Sequence, residues 1–308
     1  MAILLKDLIE KEPAITSGHS LCPGCGAPMI AKMATLAADY PIVMAVATGC
    51  LEVSSTTYPF TAWKIPWIHN AFENAAATIS GIESAYKALS RRGKINKKIK
   101  FVAMGGDGGT YDIGIQALSG ALERGHDFLY ICYDNEGYMN TGAQRSGATP
   151  KGAHTTTEPA GRVSFGKRLR HKDLTSIAAA HHIPYAAQGS IHNWQDLLRK
   201  FKKGIEIDGP AFINVLSPCP RFWRFPPNKT IEIAKLAVET NFWPLFEVDN
   251  GKWILNYKPK QRKPIIEWIK LQGRYKHLLK PENKHVVDEI QQEIDAYFDW
   301  LVQRCEQK

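Results

Sequence analysis

Two cysteines separated by Pro and Gly, Cys22 and Cys25, can turn both thiolates toward one metal ion or cluster. A redox dithiol and a zinc knuckle are the competing readings. Zinc would want a second Cys-x-x-Cys, which the chain lacks. Two single cysteines stand in its place, Cys50 in ATGC and Cys219 in SPCP, each just after a predicted strand. Two adjacent and two distant thiols suit an iron–sulfur cubane at one end of a sheet; zinc and unrelated thiols stay open as alternatives. Cys132 lies inside the apolar run FLYICY and reads as a core thiol, and Cys305 near the C-terminus as incidental.

A second group is built on oxygen. Gly105-Gly106-Asp107-Gly108-Gly109 is followed by Tyr133-Asp134-Asn135-Glu136-Gly137, with Asn135 placed 28 positions after Asp107. A carboxylate, an amide oxygen and nearby carbonyls are hard ligands of the kind Mg²⁺ takes beside phosphate oxygens. The glycines let backbone N–H groups approach a pyrophosphate, and a helix predicted from Asp112 would present its positive end. A Rossmann site needs GxGxxG and a P-loop needs GxxxxGK[ST]; neither occurs. GDG and then Asn, each at a strand end, resembles the pattern of thiamine diphosphate enzymes.

The elements that must position these groups alternate. Residues 41–49, 98–106, 127–135 and 211–219 are short apolar runs rich in β-branched residues that stop at Gly, Asp, Asn or Cys, as buried strands do. Helical patterns fill 26–39, 73–92, 112–124, 173–181 and 192–203. Alternation predicts an α/β fold, a mostly parallel sheet with helices on both faces, whose ligands bind beyond the strand C-termini. The segment 136–172 has little apolar periodicity and reads as a functional loop. A hairpin turning at Asn-Gly follows at 247–257. The last helix, 282–304, places Val287, Ile290, Ile294, Tyr297 or Phe298, and Leu301 on one face. Residues 1–245 are expected to form the site-bearing domain, and 246–308 an arm packed on it or on a partner.

The 308 residues are 44% apolar and 22% charged, which excludes a disordered chain, and no apolar run is long enough to span a membrane. Charges at Lys6, Asp7, Glu10, Lys11 and Glu12 speak against export, so a cytoplasmic location is expected. The net charge of +9 is concentrated in 90–100, 162–203 and 252–280, and the tail from 281 reverses the sign. Such a surface suits an anionic partner, but no nucleic-acid module signature accompanies it.

Taken in order, HSLCPGCGAP, ATGCLE, HNAFENAAATISGI, MGGDGGTYDIG, NEGYMNTGAQRSGATP, SPCPRFWRF and KTIEIAKLAVET resemble the β subunit of 2-oxoacid:ferredoxin oxidoreductases, most closely the pyruvate type. WIKLQGRYKHL extends the likeness into the arm. The resemblance implies a fold that binds the diphosphate end of thiamine diphosphate beside a [4Fe–4S] cluster. Cys22, Cys25, Cys50 and Cys219 would ligate the cluster. Asp107, the Asn135 side chain and the Gly137 carbonyl would hold Mg²⁺. Gly49, Cys50, Gly106, Gly108, Gly109 and Thr141 would line the cofactor, with Gln144 a weaker candidate, and Asn140 would face the thiazolium and the substrate carbonyl. The implied reaction is oxidative decarboxylation of a 2-oxoacid, with electrons leaving to ferredoxin and the acyl group passing to coenzyme A.

The resemblance also implies what the chain lacks. The glutamate that activates thiamine diphosphate belongs to a separate α subunit, despite the tempting Glu73, and further γ- and δ-type subunits would carry ferredoxin-like clusters. The loop YMNTG differs from the YGMTGGQ of 2-oxoglutarate types. Relatives acting on branched or aromatic 2-oxoacids can share a YMNTG-like loop. Arg221 and Phe222, where pyruvate types tend toward a smaller residue and glycine, leave room for another substrate such as oxalate.

Overall fold

Apolar residues at nearly every position give each central strand two apolar faces, and such strands are stable only when covered on both sides. The computed structural model describes residues 5–307. Eight strands form one sheet: β1 (Ile42–Ala47), β2 (Trp67–Asn70), β3 (Lys100–Gly106), β4 (Leu129–Asp134), β5 (Tyr185–Ser190), β6 (Ala211–Leu216), β7 (Phe246–Asp249) and β8 (Lys252–Leu255). Their order is β2-β1-β3-β4-β6-β5-β7-β8. The first six are parallel, and β7 and β8 add an antiparallel edge.

The two faces have separate cores. Met44, Val46, Met104, Ile131 and Val215 pack under the helices Gly26–Leu36 and Trp194–Glu206. Ala45, Ala103, Tyr130 and Phe212 pack under Ala75–Arg91, Ile115–Glu123 and Leu174–Ala179. The crossover from β1 leads outward to β2, whereas that from β3 leads the other way to β4. The C-terminal ends of β1 and β3 therefore flank a crevice, the place where open α/β sheets bind ligands.

Two strands escape the sequence pattern. β2 (WIHN) and β5 (YAAQGS) have few β-branched residues, yet β5 is buried throughout because β6 and β7 pair with it on both sides. The helix expected from Asp112 is also displaced. A π-helical turn, Gly108–Asp112, leaves β3 first, and the α-helix begins at Ile115. At the predicted hairpin, Asn250 and Gly251 take φ values of 48° and 81°, as a two-residue turn of this hand requires.

The last helix, Lys284–Glu306, docks on this chain. Val286, Val287, Ile290 and Ile294 join a third apolar cluster with Trp268 and Tyr275, and Leu301 enters the core beneath the sheet. Phe298 is the buried aromatic, while Tyr297 donates to Asp173 at 2.9 Å. Its acidic side meets basic neighbours: Arg262 pairs with Asp295 and Asp299, and Lys151 with Glu289 and Glu293. Among the described residues no helix is long and apolar enough to cross a membrane.

Because Leu301 has no solvent exposure and sits between the sheet and its helices, Leu301→Ala should leave a cavity costing about 2 to 5 kcal/mol. Denaturant unfolding of the two proteins will measure it. A loss below about 0.5 kcal/mol, the range of ordinary surface substitutions, would show that the helix does not dock there.

Candidate functional site

Close backbone packing brings the thiols together. Cys25 N–H donates to the Cys22 carbonyl at 3.0 Å, closing a turn whose Gly24 has a φ of 74°. A Cβ on Gly24 would run into the Pro227 carbonyl, and one on Gly26 would lie 2.9 Å from the Ser217 hydroxyl, so the turn can sit this low over the segment after β6 only with glycine there. Gly26 N–H bonds the Pro218 carbonyl, and the Thr230 hydroxyl bonds that of Gly24 at 2.6 Å. Ser20 N–H to the Ser54 carbonyl, 2.8 Å, ties the same arm to the helix Cys50–Ser55. Cys22, Cys25, Cys50 and Cys219 are thereby within electrostatic reach of one another in every pairing.

Burial, above all, pushes the Cys25 and Cys50 thiols up to about 12. As free groups they stay protonated; binding a metal is what would strip their protons. Among the described residues no three His, Cys, Asp or Glu side chains stand close enough to share a single ion. Cys132 is buried within β4, and Cys305, near the end of the last helix, packs at the edge of the core.

The oxygen group sits at the ends of β3 and β4. Asp107 is fully buried, and it has no Lys, Arg or His ion-pair partner among the described residues. It accepts from Asn135 N–H at 3.2 Å and from the Ser146 hydroxyl. Burial first, then the neighbouring Asp134 carboxylate, holds its carboxyl well above the usual carboxylate range. Asp134 is pushed up to about 7, by burial and then by Glu136, and accepts from Tyr111 at 2.6 Å. One amide atom of Asn135 lies 2.9 Å from Asp107 Oδ1 and 2.8 Å from the Gly137 carbonyl oxygen. With nitrogen in that place it donates to both. With oxygen there, it stands from each of two further oxygens at the spacing of about 2.9 Å that neighbouring ligands keep around an octahedral ion with bonds of 2.0–2.1 Å.

These oxygens form the floor of a cavity of about 270 Å³. The structure brings Gly49, Cys50, Gly106, Asp107, Gly108, Gly109, Asn135, Gly137, Asn140 and Thr141 together on its walls, with Phe72, Tyr133, Tyr138 and Met139. The glycines make the space: a Cβ on Gly108 would meet the Tyr138 ring at 2.7 Å, and one on Gly49 the Tyr133 hydroxyl at 2.8 Å. That hydroxyl is buried and, among the described residues, accepts at most the Leu51 N–H and donates to nothing, which leaves its proton for a ligand. Cys50 belongs to both the cavity wall and the thiol group, so the two sites share a boundary. Asn140 and Thr141 form an exposed rim.

Other residues are placed elsewhere. Gln144 stays off the cavity wall and accepts from the Thr141 hydroxyl at 2.6 Å. Glu73 and Arg221 are exposed and outside the lining, and Phe222 is buried beside Gly137. The loop 136–172 is folded over the site. Asp112 accepts from Tyr138 at 3.1 Å and from Gly147 N–H at 2.8 Å, and Ser146 reaches Asp107. Ser146, Phe72 and Tyr133 lie inside the quoted motifs, yet nothing in their type or spacing singles them out. Their roles arise only when the loop and strand ends meet.

Residues 47–215 match the model of the thiamine pyrophosphate enzyme C-terminal TPP-binding domain, a segment that spans every cavity-lining residue. Pyruvate synthase subunit PorB of Thermotoga maritima is 53% identical over 97% of this chain and 94% of its own length. PorB of Methanocaldococcus jannaschii is 54% identical over 92% and 95%. Ketoisovalerate oxidoreductase subunit VorB of Pyrococcus abyssi is 48% identical over 86% of each. Among solved structures, 2-oxoglutarate:ferredoxin oxidoreductase of Magnetococcus marinus shares the fold, with a TM-score of 0.56 and 21% identity over 73% of this chain and 81% of that one. The chain belongs to the family of thiamine pyrophosphate-dependent 2-oxoacid:ferredoxin oxidoreductase β subunits that includes pyruvate synthase PorB.

Proposed function

We propose that this chain is the diphosphate- and cluster-binding subunit of a cytoplasmic pyruvate:ferredoxin oxidoreductase that releases CO₂ and forms acetyl-coenzyme A. The observation that carries the reading is Cys50, which lines the cofactor cavity and also stands among the thiols. Electrons leaving the cavity would have a cluster at its wall. Pyruvate is favoured because the pyruvate synthase relatives match over more of the chain than the ketoisovalerate relative, those of Thermotoga maritima and Methanocaldococcus jannaschii also at higher identity.

When bound, thiamine diphosphate supplies a nucleophilic carbon for the 2-oxo group, and a [4Fe–4S] cluster accepts electrons singly. The chain's own residues hold and orient. Asp107, the Asn135 side chain and the Gly137 carbonyl would take Mg²⁺, whose charge answers the otherwise unpaired Asp107 carboxylate. Gly106, Gly108 and Gly109 would open backbone N–H groups to the diphosphate. Ser146 fixes the Asp107 carboxylate. Asn140, on the rim, would face the substrate carbonyl, with Thr141 braced by Gln144 beside it. Cys22, Cys25, Cys50 and Cys219, all within electrostatic reach of one another, would each take one iron. The activating glutamate would come from an α subunit seated on the exposed rim, and ferredoxin would collect electrons through further cluster-bearing subunits.

Three outcomes test this. The chain alone should release no CO₂ from pyruvate, whereas the assembled complex should reduce a viologen with pyruvate and coenzyme A, faster than with ketoisovalerate or oxalate. Equal or greater turnover of either competitor would overturn the substrate assignment. Cys219→Ser should lose iron and visible absorbance while Cys305→Ser retains both; iron retained in the first variant defeats the ligand set. For the cation, wild-type protein at one hundred times the dissociation constant should gain about 2.7 kcal/mol from thiamine diphosphate with Mg²⁺. Asp107→Asn should lose most of that gain, yet be no less stable without ligands, because burial already disfavours the ionised carboxylate there and a neutral amide carries no such penalty.

A further inference from the structure

We propose that Arg274, in the C-terminal arm and outside the cavity lining, is a positioning residue for the turn Asn135–Gly137. The inference rests on the cation site read above. Between the two ligand residues of that turn stands Glu136, a non-glycine with a φ of 67°, in the left-handed region that L side chains rarely adopt. Such a conformation persists only when its surroundings over-determine it. Here they do. The Glu136 carboxylate is bonded to Arg274 Nη2, and both side chains are buried. Among the described residues no other cation lies within ion-pair distance of Glu136.

Arg274 is itself held rigidly. Its Nε donates to Gln272 at 2.9 Å, and its guanidinium lies 4.2 Å from the Trp223 ring centroid and 4.9 Å from that of Tyr275. The backbone of the turn is fixed from the same side. The Trp223 indole donates to the Asn135 carbonyl at 2.9 Å, and the Thr149 hydroxyl to the Glu136 carbonyl at 2.7 Å. Held so, the chain reversal at Glu136 aims the Asn135 side chain and the Gly137 carbonyl oxygen at one point, 2.8 Å apart. Released toward an ordinary right-handed or extended conformation, Glu136 would rotate the Gly137 carbonyl away from Asn135. Arg274 thus acts on the cation through the backbone, without touching it.

The test uses the assembled complex. Arg274→Lys keeps the charge but loses the planar fork and the ring stacking. The double variant Arg274→Met/Glu136→Gln removes both charges at nearly constant volume, so it folds even where a single change would strand a buried carboxylate. Mn²⁺ binding in the presence of thiamine diphosphate is read by electron paramagnetic resonance, alongside KM for thiamine diphosphate, kcat and iron per chain. The double variant should bind Mn²⁺ about 10-fold or more weakly, the usual cost of losing a group that orients ligands. Its KM for thiamine diphosphate should rise, kcat should recover at saturating Mn²⁺, and iron should be unchanged; Arg274→Lys should fall between. A folded double variant with full iron and wild-type Mn²⁺ affinity would overturn the proposal and leave the cation site standing. A wild-type complex that binds thiamine diphosphate but no Mn²⁺ would overturn the cation site, and the proposal with it.

Discussion

Three carboxylates, Asp107, Asp134 and Glu136, are buried close together where β3 and β4 end. Burying an ionised carboxylate is costly unless a counter-charge or donors reach it, and the surrounding elements are arranged to supply them. Asp134 receives the Tyr111 hydroxyl, itself bonded to Asn214 on β6. Glu136 receives a guanidinium from the far end of the chain. Asp107 receives a hydroxyl and an N–H but no cationic side chain, and its carboxyl is raised accordingly. The deficit lies at the floor of the cavity, where the proposed divalent ion would offset it.

The parts of this arrangement readable from the chain are those that local chemistry dictates. Strands such as IVMAVA and LYICYD announce themselves because a strand covered on both faces needs apolar residues at nearly every position. Their ends announce themselves because Gly, Asp and Asn stop them, and those ends hold the site. β5 was not readable, since Ala, Gln, Gly and Ser become strand-like only between two pairing partners. The π-helical turn at Gly108–Asp112 was hidden for a related reason. A local pattern of apolar residues cannot distinguish one extra residue in the first turn of a helix. The ring of residues behind the ligands, Ser146, Trp223 and Arg274, is set by contacts across long stretches of chain, which no window of sequence contains.

The charge pattern changes meaning in the same way. By sequence alone the basic run 252–280 suits an anionic partner, and the tail from 281 only reverses the sign. Part of each is spent internally, through Arg262 with Asp295 and Asp299. Exposed pairs like these add little stability. Their effect is to bias how the last helix lies on the sheet, while the apolar face from Val286 to Leu301 provides the binding energy.

The bond between Glu136 and Arg274 joins residues 138 positions apart. Closing a loop of that length costs entropy, and the aromatic cluster of Trp223, Trp268 and Tyr275 packed about the guanidinium helps to offset it. The latch and the walls it steadies thus come from separate stretches of sequence. A chain ending short of residue 274 would keep every cavity-lining residue and lack the latch.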